Sequence, residues 1–487
     1  MKMILFEVQG WESWDVDQRP VTPDGMPVLI DDDLFLEDAG GPRPCAVVNR
    51  WLRELPSSGC SSPSSWPTYG RALRAWMEFL SERGIELFDT RPQLKAALSA
   101  YAVHRACGPI AVRFGAATWD QHVSILTVSY KWATAEGHAQ AEPFTYRQAK
   151  VAYGHQEQVQ QVNMAVRRRP KPHVTIKYLA SDFEQLFLKA LAGLDSDGQE
   201  DTQYRGRELA RNADVGKLAL STGLRRQEFT YLLTPEIPLL PPTPSALPIP
   251  FPVPAEVTKG RKFRETWISY AALAEVHRYV ELARPLAAEG STWRPKDPLL
   301  VTQVDQVGGR IDGNRVRWCT LRPADRLRLV APDGGSMLLA LRHDGGPFTA
   351  WATVLERASA RIRDRFEPRF PTVYPHRLRH TFAIRTLERL VGGYYAQLAQ
   401  MIEDTDADAA LAFYLSKADP MAVLRDLLGH SSVLTTEIYL RRLDMTRIYR
   451  DAYERHGHSR PERAQLAAAT REANEEFDEA IDHMGAR

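Results

Sequence analysis

At 487 residues, the chain is long enough for two or more domains that each bury a core. Apolar residues make up 44% and charged residues 25% of the sequence, as in ordinary soluble proteins, and no apolar run predicts a membrane span. The four cysteines are far apart without a C-x-x-C pair, so neither a disulfide framework nor a zinc site is predicted. Because Glu7 interrupts the first apolar stretch, we expect no secretory signal and a cytoplasmic location.

Charge is distributed unevenly along the chain, although the formal net charge is only +1. Residues 158–181 contain five lysines and arginines and no acidic residue, whereas residues 461–487 carry seven acidic residues against three basic ones. Since a local basic segment can contact a phosphate backbone whatever the total charge, the distribution is more informative than the sum.

The N-terminal part of the chain has two predicted sections. Residues 1–40 contain several prolines and an acidic run, and we expect an irregular arm with little helix. Residues 41–165 show repeated helical spacing of apolar residues, for example over 68–83, where Gly84 marks the end. This section predicts a compact all-helical domain.

A basic linker is predicted over residues 166–180. Its prolines disfavour helix, and its basic side chains suit a segment that crosses a phosphate backbone. A solvated surface is the competing interpretation of such a run. The candidate DNA-contacting residues are Arg167, Arg168, Arg169, Lys171 and Lys177.

The sequence predicts a larger domain over residues 181–460 that contains both helices and strands. Ser181 and Glu184 have capping-box spacing at the start of a helix. Nine prolines in 235–254 predict an extended loop, followed by a strand pair with Lys259 in its turn. The region 305–347 is rich in Gly and Arg and resembles an insertion. The predicted fold class is mainly α with a small β-hairpin or sheet.

Four short motifs in this domain carry residues suited to phosphate chemistry. They read T-G-L-R-R-Q-E over 222–228, K-G-R-K-F-R over 259–264, H-R-L-R-H over 376–380, and L-G-H-S-S followed by T-T-E-I-Y over 428–439. A tyrosine hydroxyl can attack phosphorus when a base is close and the developing charge is stabilised. Arginine guanidinium groups can bind two non-bridging oxygens of a phosphate at once.

In order and spacing, these motifs resemble the active-site boxes of the tyrosine recombinase (phage integrase) family. The resemblance implies a helical core-binding domain followed by a catalytic domain. It also implies a nucleophile, Tyr439, and a general base, His376, with Lys259 as the general acid. The charge on the phosphate would be stabilised by Arg225, Arg379 and His430. No cofactor or metal is implied.

Each of these residues also has an ordinary structural interpretation. Arg226 and Lys262 compete with Arg225 and Lys259, and only the family register favours the latter pair. His376 and His380 are four apart and could bind a metal, but a cation, Arg377, stands beside them. In the family the second histidine is structural, so His380 is interpreted as a packing residue. The acidic residues of 403–408 lack a calcium-loop pattern.

The reaction implied by the resemblance is site-specific cleavage and rejoining of double-stranded DNA through a 3′-phosphotyrosyl intermediate. It would serve integration, excision or transposition of a mobile element, by a nucleoid-associated homotetramer on synapsed DNA, with companion recombinases as further candidate partners. A type IB topoisomerase and a catalytically silent DNA-binding regulator are the alternatives. An amphipathic tail over 461–487 is expected to dock onto the neighbouring protomer.

Overall fold

The computed structural model describes residues 1–7, 22–38, 41–153, 156–167, 177–244, 247–391 and 419–431, together with Thr436 and Tyr439. The chain divides into two compact units, Met1–His173 and Val174–Arg487, and each is described by itself. The sequence also predicts a helix over 394–418, and both this segment and the acidic tail over 461–487 lie outside the described residues. In the part of the chain that is described, no helix has the length and apolarity needed to cross a bilayer.

The first unit is built around four helices. They are α1 (Pro44–Glu54), α2 (Trp66–Ser81), α3 (Arg91–Cys107) and α4 (Ala116–Ala135). Their apolar faces meet in one core, where Trp51, Trp76 and Trp119 are almost fully buried. Trp76 and Tyr130 are linked by a hydrogen bond of 3.0 Å from the indole N–H to the hydroxyl, which satisfies two polar groups inside that core.

Strands complete the first unit, and they correct two expectations. β1 (Lys2–Leu5) and β2 (Pro27–Ile30) pair antiparallel, and short β3 (Glu37–Asp38) pairs with β4 (Gly41–Pro42). Leu29 is fully buried in the helical core, so part of the predicted irregular arm belongs to that core. A hairpin of β5 (Tyr146–Tyr153) and β6 (Gln156–Asn163) follows the helices, where an all-helical domain is expected from the sequence.

The helices of the second unit enclose its main core. They are α5 (Ser181–Leu191), α6 (Leu209–Thr222), α7 (Arg226–Thr230), α8 (Tyr270–Arg278), α9 (Arg284–Ala288), α10 (Pro323–Arg326), α11 (Trp351–Arg365), α12 (Pro375–Val391) and α13 (Pro420–Leu428). A π-helical turn, Tyr279–Ala283, joins α8 to α9. Buried apolar residues of α12 and α13 form a second cluster together with Leu247, Trp267 and Tyr439.

The described residues of the second unit form two sheets. β7 (Ile249–Val253) and β8 (Arg264–Ile268) form the predicted antiparallel pair, and β7 accommodates Pro250 and Pro252 because it is an edge strand. β9 (Leu299–Thr302), β10 (Gly308–Ile311), β11 (Asn314–Arg317) and β12 (Leu329–Val330) form a second sheet in the order β11-β10-β9-β12. The predicted insertion therefore packs around a small apolar core to which Leu233 and Val301, from outside the insertion, also contribute.

The predicted capping box of α5 is not formed. Ala180 occupies the N-cap position without a side-chain cap, and Glu184 instead pairs with Arg385 on α12. Glu184 is largely buried in this position, so a long-range ion pair has replaced the local hydrogen bond that the spacing favoured.

Candidate active site

The first arginine box lies at the junction of α6 and α7. Gly223 ends α6 with a positive φ of 64°, and a Cβ atom there would lie 2.3 Å from the Phe382 ring, so glycine is required on both counts. Arg225 then precedes α7. Its backbone N–H donates to Glu228 Oε2 (2.7 Å) and its Nη1 donates to Oε1 (3.1 Å). Glu228 is therefore the residue that orients Arg225.

Arg379 is buried on α12 behind this junction. Its Nη1 donates to the Gly223 carbonyl (2.7 Å), and its Nη2 donates to the Leu428 carbonyl at the end of α13. Burial, followed by repulsion from Arg225 and Arg264, lowers the pKa of Arg379 to about 9. The guanidinium thus joins the two chain segments that carry Arg225 and His430.

The turn between β7 and β8 presents both candidate lysines. Thr258 Oγ1 accepts from the Lys262 backbone N–H (2.9 Å) and lies 2.8 Å from the Lys262 carbonyl oxygen, which closes the turn around Lys259. Lys259 and Lys262 are exposed and line a groove of about 950 Å³, which Arg225 and His430 also line. The geometry admits either lysine as a proton donor in that groove.

His430 follows the end of α13. Gly429 has a positive φ of 62°, and a Cβ atom there would lie 2.5 Å from Arg264 Cδ. The His430 backbone N–H donates to the Arg425 carbonyl (3.0 Å), and its Nδ1 is 3.0 Å from Thr436 Oγ1. Burial, with repulsion from Arg379, Arg225 and Arg264, lowers the pKa of His430 to about 4.

Tyr439 contacts the second histidine of α12. Its side chain is only 1% exposed, and its hydroxyl lies 2.8 Å from His380 Nδ1. His376, to which the resemblance assigns proton transfer, packs against His380 with ring centroids 5.1 Å apart at 87°. Burial raises the pKa of Tyr439 to about 12, although Arg379 and Arg225 favour the phenolate. His380 is thus more than the packing residue expected from the sequence.

Arg264 is a second residue that the sequence analysis leaves without a role. Its Nη2 donates to Glu228 Oε2 (2.5 Å) and its Nη1 to the Leu427 carbonyl (2.9 Å), so it ties β8 to both Glu228 and α13. Its Nε is buried without a hydrogen-bond partner. The only signal in the sequence is its place on the strand that follows the lysine turn.

The linker candidates are only partly described. Arg167 donates from Nη2 to the Ala102 carbonyl (3.0 Å), and its guanidinium carbon lies 4.6 Å from the Trp119 ring centroid. These contacts give Arg167 a structural role within the first unit, and its expected DNA contact stays a prediction. Lys177 is exposed, and the other three lie outside the described residues: Arg168, Arg169 and Lys171.

The second unit therefore brings the six predicted catalytic residues into one region. Arg225, Lys259 and His430 line the groove, while His376, Arg379 and Tyr439 are close enough to Arg225 to interact electrostatically with it. Guanidinium groups, imidazoles and an ammonium group around a phenol can bind an oxyanion and transfer protons. Within the described ranges, no cluster of three His, Cys, Asp or Glu side chains could hold a metal ion.

The chain is similar in structure to several solved recombinases. XerH site-specific recombinase bound to difH substrate is 16% identical, with 83% of each chain covered and a TM-score of 0.42. Tn1549 transposon integrase in complex with a circular intermediate DNA is 14% identical, covering 81% of this chain and 94% of that one, with a TM-score of 0.45. A lambda integrase dimer bound to a COC′ core site is 15% identical, with the same coverage and a TM-score of 0.39.

No protein-family model matches the chain, and no curated protein matches it. The structural likenesses are too weak to assign the chain to a family. The function proposed below therefore rests on the residues of the site.

Proposed function

We propose that the protein is a site-specific DNA recombinase that cuts and rejoins double-stranded DNA through a 3′-phosphotyrosyl intermediate. The observation that carries the proposal is the grouping of a tyrosine, three histidines and two arginines beside a groove with two exposed lysines. The charged lining of this groove of about 950 Å³ consists of Arg225, Lys259, Lys262 and Arg264 against Glu265 and Asp426. This excess of cations suits the backbone of a nucleic acid.

The proposed cleavage step is attack of the Tyr439 hydroxyl on the scissile phosphate. Arg225, Arg379 and His430 stabilise the charge on the non-bridging oxygens, which is the dominant catalytic contribution in phosphoryl transfer. Lys259 donates a proton to the departing 5′ oxygen. Rejoining is the same reaction in reverse, because the phosphotyrosine preserves the bond energy and no nucleotide is consumed.

A covalent-trapping experiment tests this proposal. Duplexes bound by the protein are first selected from a randomised library, and nicked versions are then used so that the cleaved strand diffuses away. We expect a protein–DNA adduct whose DNA-linked peptide contains Tyr439. Tyr439→Phe should abolish the adduct and retain DNA binding, because only the attacking hydroxyl is lost.

The same reagents separate the alternative functions. Absence of any adduct would favour a DNA-binding regulator that does not cleave. An adduct on another tyrosine would identify that residue, and not Tyr439, as the nucleophile. Strand exchange between two duplexes is expected of a recombinase, whereas relaxation of supercoiled DNA without exchange would indicate a topoisomerase. The proposed homotetramer is measured as a synaptic complex of four protomers and two duplexes, and companion recombinases would be needed if this protein alone does not complete exchange.

A further inference from the structure

Two histidines one turn apart on α12 compete for the role of proton acceptor, and the hydrogen bond to the nucleophile distinguishes them. His380 Nδ1 lies 2.8 Å from the Tyr439 hydroxyl, within the range for direct proton transfer. We propose that His380, rather than His376, takes the proton of Tyr439 during strand cleavage. This inference rests on the proposed function, because it assigns a role in the same reaction.

The geometry also fixes the tautomer that this role requires. A phenol donates its single hydrogen, so Nδ1 must be the unprotonated nitrogen and Nε2 must carry the proton. His376 is placed differently: it packs edge-to-face against His380, and charge on it is opposed by Arg379 and Arg225. Arg379 acts on both histidines, so the distinguishing observation is that His380 contacts the attacking oxygen.

The surroundings of His380 keep it neutral until substrate binds. Burial, and then repulsion from His376, Arg379 and Arg377, lowers its pKa to about 4, so at neutral pH it offers a lone pair to the hydroxyl. A phosphate diester bound among the arginines brings a negative charge that offsets this repulsion. Its arrival would raise the basicity of His380 at the moment when a base is needed.

The step balances without a further reactant. The O–H bond of Tyr439 breaks while its oxygen bonds to phosphorus, and the proton passes to His380 Nδ1. The bond from phosphorus to the 5′ oxygen breaks, and that oxygen takes a proton from Lys259. In the rejoining reaction the 5′ hydroxyl attacks the phosphotyrosine and returns its proton to Lys259. The bond from phosphorus to the Tyr439 oxygen breaks, and Tyr439 recovers its proton from His380.

Single-turnover cleavage measured against pH, with the full chain and the selected nicked duplexes, tests the assignment. His380→Leu should slow adduct formation by roughly 10²–10⁴-fold, the usual contribution of a general base, and should remove the acidic limb of the profile. His380→Asn retains a hydrogen-bond acceptor but cannot take a proton, so it should bind DNA normally, cleave slowly and lack the acidic limb. Added imidazole should partly rescue His380→Leu.

His376→Asn is the matched control, since it changes the neighbouring histidine in the same way. We expect it to retain the acidic limb and to be insensitive to imidazole. If His376→Asn loses the limb while His380→Asn keeps it, His376 is the base and the proposal is overturned. Faster cleavage by His380→Leu would also overturn it, because His380 would then be holding Tyr439 away from the phosphate.

A substrate with sulfur in place of the 5′ bridging oxygen separates proton removal from proton donation. A thiolate leaves without a proton, so this substrate should restore cleavage by Lys259→Ala and leave His380→Leu slow. Restoration of His380→Leu would contradict its role as a base. If the unsubstituted protein forms no adduct at Tyr439, the proposed function fails. If the adduct forms with the same pH profile in the unsubstituted protein and in the His380 variants, only the role of His380 is refuted.

Discussion

At the residue scale, half-buried histidines beside cations dominate the electrostatics of the candidate site. His380 and His430 both have pKa values lowered to about 4 from an ordinary value of 6.5, with burial as the first cause in each case. Each ring nevertheless has a hydrogen-bond partner, namely Tyr439 and Thr436. Neutral imidazoles are therefore part of the folded structure as well as of the proposed chemistry.

The first prediction concerns stability against pH. The unfolded chain binds protons at these two histidines near pH 6.5, whereas the folded chain resists protonation until about pH 4. Because the unfolded state binds more protons in this window, stability is fully present above it and is lost as the pH falls from 6.5 towards 4. Thermal unfolding of the full chain should show a falling midpoint over that range.

The double variant His380→Asn with His430→Asn should flatten this dependence, because it removes both titrations. His343→Asn, at an exposed position in the same unit, is the control and should leave the slope unchanged. An equal slope in the double variant and the unsubstituted protein would show that other groups control the acid response.

At the scale of elements, Arg264 connects the lysine turn to the rest of the site. It lies at the start of β8, pairs with Glu228 in α7 and donates to a carbonyl at the end of α13. A cation at the C-terminal end of a helix satisfies carbonyls that lack helical partners. Through this residue, the positions of Lys259, Arg225 and His430 depend on one another.

Arg264→Met should therefore disturb the arrangement of the catalytic residues more than the binding of DNA in the groove. Removing one partner of a buried ion pair costs about 3–5 kcal/mol, so the thermal midpoint should fall, and adduct formation should slow while DNA affinity is retained. Arg264→Lys should recover part of the rate, since it restores a cation near Glu228. Arg261→Met, in the exposed part of the same turn, is the control, and an equal loss in both variants would remove the special role of Arg264.

Local patterns account for the elements that the sequence predicted correctly. The helix α2 and the pairing of β7 with β8 follow from spacing and turn residues, which report on neighbours along the chain. The contacts that were missed are long-range: His380 and Tyr439 are 59 residues apart, and Glu228 and Arg264 are 36 apart. The capping prediction for α5 was wrong because Glu184 is taken by Arg385, again a partner that local spacing does not reveal.

At the scale of the whole molecule, the boundary between the two units falls inside the basic segment predicted as a linker. On its N-terminal side, Arg167 is bound to the first unit by Trp119 and the Ala102 carbonyl. On its C-terminal side, Lys177 is exposed. The remaining basic residues of this segment stay a prediction from sequence.

Replacing Arg168, Arg169, Lys171 and Lys177 together by alanine should weaken DNA binding at all sequences alike. Each phosphate contact removed should lower the slope of log affinity against log salt by about 0.9. Arg167→Ala is the comparison: it should lower the thermal midpoint through lost packing on Trp119 and change the slope little. An unchanged slope in the fourfold variant would show that the segment connects the two units without contacting phosphates.

The sharing of one carboxylate, Glu228, by the cations around it has a thermodynamic consequence. Arg225 and Arg264 both pair with it, and Arg379 lies close enough to interact electrostatically with all three groups. Positive charge is therefore in excess, and an oxyanion that binds to the folded state alone adds stability by mass action. Each tenfold rise in its concentration above the dissociation constant contributes about 1.4 kcal/mol. Under the proposed function, DNA phosphate would be such an oxyanion, so DNA binding would raise the free energy of unfolding of the second unit.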